Sequence, residues 1–208
     1  MKSLARSVLV VAAALLLTAL GFAQSDPDAE FHANGNGGAQ TDLRFMKEAA
    51  ADGMAKMDLA YLALQNSDNE QVKAFARQMV SDYLKSNGDL ASIATRQFVQ
   101  LPTAVDPKDH QTFEALSQLH GAAFDKAFME AMLKDHQRDM SRLKQEASKG
   151  NNQSMIDWAR QTLPAIEDNF KEAQKVAPLV GVHATLTSEE QEILNASKSA
   201  NSASQDAH

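Results

Sequence analysis

The chain reads Asn69-Glu-Gln-Val-Lys-Ala-Phe-Ala-Arg-Gln78 at one place and Asn152-Gln-Ser-Met-Ile-Asp-Trp-Ala-Arg-Gln161 at another. The two stretches align without gaps, with four identities and an aromatic residue at the same position. Each stretch opens the second helix of a predicted helical hairpin. Because each hairpin has one apolar face to bury, two of them close naturally into a four-helix bundle. The alternative is chance similarity, since any two amphipathic helix starts share their period.

The periodicity of apolar residues predicts helices throughout the interior of the chain. Apolar side chains recur at steps of three and four, which keeps them on one helical stripe, and no segment shows the alternation of a strand. The predicted helices run from about Thr41 to Asn66, from Ser67 to Gln97, from Pro107 to Lys149 and from Asn151 or Asn152 to Val176. The sequence therefore predicts an all-α fold.

Local signals mark where these helices begin and end. Ser67 and Asp68 are each followed three positions later by Glu or Gln, which is the pattern of a capping box. Asp106 before a proline is a typical N-cap. The third helix contains a candidate break around 120–121, and Gly150 is placed to end it in a left-handed conformation.

The first 23 residues have the pattern of a signal peptide. Lys2 and Arg6 precede an apolar run from Val8 to Phe22, which is short for a membrane span of about 20 residues. Small residues precede a cleavage point after Ala23. We expect a periplasmic or secreted bacterial protein with no integral span after cleavage, whereas an uncleaved run would tether the chain to the membrane.

Composition limits the classes of partner and chemistry. The chain has no cysteine, so neither disulfides nor thiol chemistry are available. Its net charge is −7, and signal cleavage removes only basic residues. Because basic residues alternate with acidic ones instead of clustering, we expect no nucleic-acid binding.

The predicted domain organisation has four parts. Residues 1–23 form the signal peptide, and residues 24–40, rich in Asn and Gly, form a flexible leader. Residues 41–177 form the helical domain, and residues 178–208 form a polar, mostly disordered tail.

Several short motifs together resemble a known bacterial family. They are Asp52-Gly-Met-Ala, Val72-Lys-Ala-Phe-Ala, Met79-Val-Ser-Asp82, Gly121-Ala-Ala-Phe-Asp125, Asp135-His136 and Leu163-Pro164. Over about residues 41–177 the chain is similar to the family called domain of unknown function 4142. The resemblance implies an exported, ferritin-like antiparallel four-helix bundle without an established activity.

The resemblance also raises the question of a metal site, because ferritin-like bundles hold metals with inward carboxylates and Glu-x-x-His pairs. The family pattern implies Glu at the position of Lys56 and His at those of Tyr83 and Asn169, so only His136 matches. No Glu-x-x-His occurs in the chain. The weak candidate ligands are His136, Asp135 and Glu167, for iron or manganese.

A polar cluster is the preferred interpretation of the same positions. His136 lies on the apolar stripe of its helix with Met140, and Tyr83 and Asn169 lie on equivalent stripes. These three side chains are predicted to meet as a neutral hydrogen-bonded cluster at the centre of the bundle. Alternatively, each polar group bonds locally or reaches solvent.

The sequence leaves two function hypotheses. The first is a non-catalytic exported bundle without a cofactor that binds a protein or envelope partner, a homodimer being one of its allowed states. The second is a metal-binding ferritin-like protein, such as an oxidoreductase, with a degenerate site. No phosphate-binding loop, nucleophile elbow or His-Glu-x-x-His motif is present to indicate another enzyme class.

Overall fold

A computed structural model describes residues 37–183, and its regular secondary structure in that range is helical. The helices are α1 (Gly37–Asn66), α2 (Glu70–Arg96), α3 (Pro107–Ser117), α4 (Gly121–Lys149) and α5 (Gln153–Val176), followed by a 3-10 turn (Ala177–Val180). The described part of the chain contains no strand, which confirms the all-α prediction. The predicted signal peptide and the tail beyond residue 183 lie outside the described residues.

The helices pack as two hairpins. The most extensive contacts join α4 with α5 and α1 with α2, and smaller contacts join α2 with α5 and α1 with α4. Asn66 Nδ2 at the end of α1 donates to the carbonyl of Leu119, which precedes α4, at 2.8 Å. At the opposite end, Gln97 after α2 exchanges side-chain hydrogen bonds of 3.1 and 3.0 Å with Asn152 before α5. Neighbouring helices from different hairpins therefore run antiparallel.

The repeated sequence gives the two hairpins the same helix start. Asn69 caps α2 by accepting from the backbone N–H groups of Gln71 and Val72, and Asn152 caps α5 by accepting from Met155. The prediction of Asn152 is confirmed. The prediction that Ser67 or Asp68 caps α2 is wrong. The helix begins later than those caps would allow, at Glu70, and Asn69 accepts from its first free amides.

The other helix limits agree with the sequence in part. Asp106 caps α3 with Pro107 in its first turn, and the predicted break before α4 occurs where Gly121 adopts a positive φ of 55°. However, α1 begins at Gly37, inside the predicted leader. The predicted tail also starts within the fold, since Val182 is buried in the core.

Gly150 does not adopt the predicted left-handed conformation. Its φ and ψ are −61° and 159°, which is an extended backbone that any residue can adopt. The reason for a glycine is space, because an added Cβ would lie 2.7 Å from the Glu146 carbonyl oxygen and 2.8 Å from Glu146 Oε1. The turn between α4 and α5 is therefore closely packed.

The core consists of aromatic rings and methionines between the hairpins. Phe124 stacks on Phe128 with ring centroids 5.5 Å apart, and Phe75 meets Phe128 edge-on at 6.2 Å. Fully buried side chains around them are Met46, Met79, Leu90, Met129, Met132 and Met155. The flexible methionines fill the irregular gaps between rings. None of the helices within residues 37–183 is long and apolar enough to cross a membrane.

Candidate functional site

A lysine lies at the centre of the most polar part of the core. Lys56 of α1 has 0% of its surface exposed. Its Nζ atom lies 3.2 Å from Asp135 Oδ2 and 3.8 Å from Asp139 Oδ2, both on α4. Because an unpaired buried charge is very costly, these two carboxylates are what allow the ammonium group to be buried.

Two arginines complete the ionic network on the side facing solvent. Arg138 lies 3.3 Å from Asp135 Oδ1 and 3.7 Å from Asp52 Oδ1. Arg142 donates to Asp52 and, at 2.7 Å, to Glu48 Oε2. We call Lys56, Asp52, Asp135, Arg138 and Asp139 the Lys56 centre. Both helices contribute acidic and basic groups, and the ion pairs run between α1 and α4. The network therefore joins the two hairpins.

The pKa directions agree with a charged lysine. Burial alone would lower the pKa of Lys56, but the Asp139, Asp135 and Asp52 carboxylates outweigh burial and raise it. Burial raises the pKa of Asp139, and Lys56 offsets part of that effect. The lysine is thus held in its ammonium form and is not a candidate nucleophile or general base.

His136 lies beside this network as a neutral ring. It is fully buried on α4, and its Nδ1 lies 2.8 Å from the carbonyl oxygen of Met132. Because a carbonyl only accepts, Nδ1 carries the proton and Nε2 has a free lone pair. Burial lowers the pKa of His136 to about 4, and the Lys56 charge acts in the same direction. Nε2 has no hydrogen-bond partner in the described structure.

The structure brings two of the three predicted cluster residues together. The rings of Tyr83 and His136 meet edge-on with centroids 6.3 Å apart. Burial, followed by the nearby carboxylates, raises the pKa of Tyr83, and its hydroxyl has no partner among the described residues. Asn169 is buried but donates from Nδ2 to Asp82 Oδ2 at 3.0 Å. Within residues 37–183, no hydrogen bond joins Tyr83, His136 and Asn169.

A small cavity borders the Lys56 centre. It has room of about 40 Å³, enough for a few water molecules. Phe45, Trp158 and Ile166 form apolar parts of its wall, and Tyr83 and Asp139 lie on the side of the network. Trp158 is fixed there because its Nε1 donates to the carbonyl of Ser86 at 3.0 Å.

The predicted metal ligands do not converge. Glu167 lies at the surface, where Lys144 Nζ approaches its Oε1 to 2.9 Å, while Asp135 is occupied by Lys56 and Arg138. No three His, Asp or Glu side chains among the described residues form a group that could hold a metal ion. A two-metal centre needs about four carboxylates besides its imidazoles. The described residues therefore do not fit one, because the acids nearest His136 are already paired with the Lys56 ammonium and with Arg138.

Sequence reasoning did not identify Lys56 as a buried cation or assign a role to Asp52, Asp139 and Arg138. A signal existed, since Lys56 follows Gly53 by three residues and precedes Ala60 by four, which places it on the apolar stripe of α1. On its own, however, a lysine at such a position is more often at the edge of a stripe.

Comparison with known proteins gives the fold and the family. A fragment described as DUF305 from Deinococcus radiodurans has a similar structure, with a TM-score of 0.59 and 14% identity over 66% of this chain and 95% of that fragment. At this identity the likeness concerns the fold alone. No curated protein sequence matches the chain. The family model described as Domain of unknown function (DUF4142) matches residues 28–176, and the chain therefore belongs to this family.

Proposed function

We propose that this chain is an exported, non-catalytic helical-bundle protein that binds a protein or another component of the bacterial envelope. Its architecture is a ferritin-like four-helix bundle. Support for that architecture comes from two hairpins, α1–α2 and α4–α5, connected by a long crossover that includes α3. One long crossover between two hairpins is the connection typical of ferritin-like folds.

The observation that carries the proposal is the position of the Lys56 ammonium. It lies buried between Asp135 and Asp139, in the part of the core where a ferritin-like protein would place its metal ligands. A fixed cation there neutralises the carboxylates and repels a second cation. The centre then serves to hold α1 against α4, which leaves the surface of the bundle, and not its core, to carry the function.

Export is supported by the sequence pattern at residues 1–23. Mass spectrometry of the protein recovered from its native cells tests this part of the proposal. We expect a mature amino terminus at Gln24 in the periplasmic or extracellular fraction. An intact Met1 in the membrane fraction would contradict cleavage and support a tethered protein.

Partner binding is tested by crosslinking in intact cells, followed by fractionation and mass spectrometry. The proposal expects a reproducible crosslinked species heavier than the monomer, either with an envelope component or with a second copy of the chain. Recovery of the chain only as an uncrosslinked monomer would contradict it. Sedimentation of the purified protein distinguishes a homodimer from a complex with another component.

A second candidate function is a metal-binding protein or oxidoreductase that uses iron or manganese. The buried, unpartnered Nε2 of His136 favours it, because a neutral imidazole with a free lone pair is a common metal ligand. Against it, Asp135 is held in ion pairs and Glu167 faces Lys144. These contacts leave His136 without the neighbouring donors that a hard or borderline cation requires.

Elemental mass spectrometry distinguishes the two candidates. The mature protein, purified from its native compartment, is measured before and after incubation with iron and manganese. We expect only trace metal in the wild type and in His136→Ala. Stoichiometric metal in the wild type that is lost in His136→Ala, but retained in the exposed control His110→Ala, would establish the second candidate.

A further inference from the structure

Two carboxyl groups are buried at the end of the bundle where α1 begins and α4 ends. Asp42 in the first turns of α1 is 1% exposed, and Glu146 in the last turn of α4 is 5% exposed. Each has an oxygen without a hydrogen-bond partner in the described structure, Asp42 Oδ1 and Glu146 Oε1. We call these two residues the acid pair. A proton or a cation is needed to neutralise them, because unpaired buried carboxylates are costly.

Both groups meet at the turn between α4 and α5. Asp42 Oδ2 accepts from the backbone N–H of Asn151 at 2.7 Å and also from that of Asn152. Glu146 Oε1 lies against Gly150, the preceding residue of the same turn, where it occupies the space that a Cβ would need. The single glycine thus makes room for the second carboxyl group beside the first.

Asp42 is already hydrogen-bonded through one of its carboxylate oxygens. It lies at the amino end of α5, where free backbone N–H groups and the helix dipole stabilise a negative charge. Glu146 accepts no hydrogen bond from any described residue and is the member of the pair that can take up a proton at lower cost. Burial, followed by the charge of Asp42, raises the pKa of Glu146 to about 7.

Several charged side chains lie on the elements around the turn, and the described ion pairs join them to groups other than Glu146. The basic side chains on the elements around the turn are Arg44 and Lys47 of α1, Arg96 of α2, Lys144 and Lys149 of α4 and Arg160 of α5, and the acidic side chain nearest the start of α5 is Asp157. Arg44 pairs with Glu48, Lys144 pairs with Glu167, and Arg160 donates to the carbonyl of Ala147. Within residues 37–183, no ion pair involves Glu146.

We propose that the acid pair binds one proton, and that this proton latches the amino end of α1 onto the turn between α4 and α5. When Glu146 is protonated, its hydroxyl can donate to Asp42, and α1 stays docked through the two backbone N–H groups that Asp42 accepts. When Glu146 ionises, two negative charges face each other in a buried site. The first turns of α1 then open locally, which is the cheapest way to hydrate them.

The direct test is hydrogen exchange of amides in residues 42–48 of the full mature chain at pH 6 and pH 8. After correction for the intrinsic exchange rate, we expect the wild type to exchange at least about tenfold faster at pH 8, as the shift in proton affinity requires. Glu146→Gln cannot ionise and should exchange equally at both values. The exposed control Glu114→Gln should behave as the wild type does.

The quantity to compare is the change in exchange rate between pH 6 and pH 8 in Glu146→Gln and in the wild type. His136 is present in both proteins, and its effect on stability has the opposite sign, since it destabilises the fold as the pH falls. Equal pH dependence in Glu146→Gln and in the wild type would overturn the proposal. If Glu146→Gln does not fold, carbon NMR of the wild type with labelled glutamate decides. One carboxyl group titrating near neutral pH supports the latch, and glutamates that all titrate near their ordinary value overturn it.

A metal ion is the competing occupant of the acid pair. Chelator treatment of the wild type separates the two occupants, because a proton is not removed by a chelator. Unchanged exchange of residues 42–48 after dialysis against a chelator is expected. Faster exchange that is restored by calcium or manganese and is absent in Glu146→Gln would overturn the proton and assign a cation instead.

Discussion

The Lys56 centre and the acid pair solve the same physical problem in different ways. Both place carboxylates inside the bundle where α1 meets α4. In the Lys56 centre the negative charges are met by fixed cations, at 3.2 Å in the closest pair with Lys56. In the acid pair no described cation is present, and Glu146 is best accommodated as a neutral acid. A fixed counter-charge stabilises the contact between α1 and α4 at all ordinary pH values. A bound proton stabilises that contact only at pH values where the acid holds it.

The largest expected effect is that of removing the lysine charge. Lys56→Met has a similar shape but removes the ammonium partner of Asp135 and Asp139, which are 15% and 12% exposed, and leaves them only Arg138. Breaking a buried ion pair in this way costs about 3 to 5 kcal/mol of unfolding free energy. Urea denaturation at pH 7 measures it, with the exposed Lys85→Met as the matched control. A loss below about 1 kcal/mol, which is typical of an ion pair exposed to water, would show that water already screens the centre.

The next effect concerns acidification and depends on His136. Its pKa is lowered to about 4 in the folded protein, so the folded state binds the proton less well than the unfolded state. Stability is therefore lost as the pH falls from the ordinary histidine value towards 4, by roughly 3 kcal/mol in total. Denaturation of the wild type and His136→Gln across this range measures the effect.

The expected result for His136 is a difference between the two proteins that grows as the pH falls. His110→Gln, which alters an exposed imidazole, should follow the wild type. If His136→Gln and the wild type lose stability in parallel on acidification, His136 is hydrated in the folded protein and is not the buried neutral ring described above.

A smaller effect is expected for the carboxylate that holds α1 to the start of α5. Asp42→Ala removes two accepted hydrogen bonds at Asn151 and Asn152, at a cost of about 1 to 2 kcal/mol. It also removes the charge that, after burial, is the second cause of the raised pKa of Glu146. We expect the titration midpoint of Glu146 to move down in pH, which carbon NMR measures. An unchanged midpoint would show that burial alone sets it, and the exposed Asp58→Ala controls for a general change in charge.

The smallest effect is expected at the surface. Glu167→Gln breaks an ion pair with Lys144 that is exposed to water, so the unfolding free energy should change by less than about 1 kcal/mol. Metal content should not change either. A large loss of stability, or a loss of bound iron or manganese, would mean that Glu167 belongs to the core and that the centre is wrongly described.

The sequence predicts the helices well because their signals are local. The period of apolar residues, the Asp106-Pro107 start and the break at Gly121 depend on neighbours within a turn or two. The repeat aligned Asn69 with Asn152, and the structure shows both as N-caps. The prediction of a left-handed Gly150 was wrong because a glycine after a helix can also be required by close packing. Here Glu146 occupies the space that a Cβ would fill.

The candidate site was less predictable because burial of a charge is not a local property. Lys56 is buried only because residues of α4 contact it, and Glu146 is buried only because the first turns of α1 pack against the turn between α4 and α5. Charged residues are rarely buried completely, so a single sequence favours the solvent face for each of them. The positions of His136 and Tyr83 on apolar stripes could be predicted from the sequence. The hydrogen bond between Asn169 and Asp82 could not, because it depends on how α2 packs on α5.

Lys56 is a permanent cation within the core, and nitrogen NMR of labelled lysine side chains follows its protonation. Comparison with Lys56→Met identifies the Nζ resonance. We expect this group to stay protonated beyond the ordinary lysine pKa of 10.5, because the surrounding carboxylates outweigh burial. Deprotonation of Lys56 near neutral pH would contradict the account, since a neutral amine would leave the carboxylates without their counter-charge.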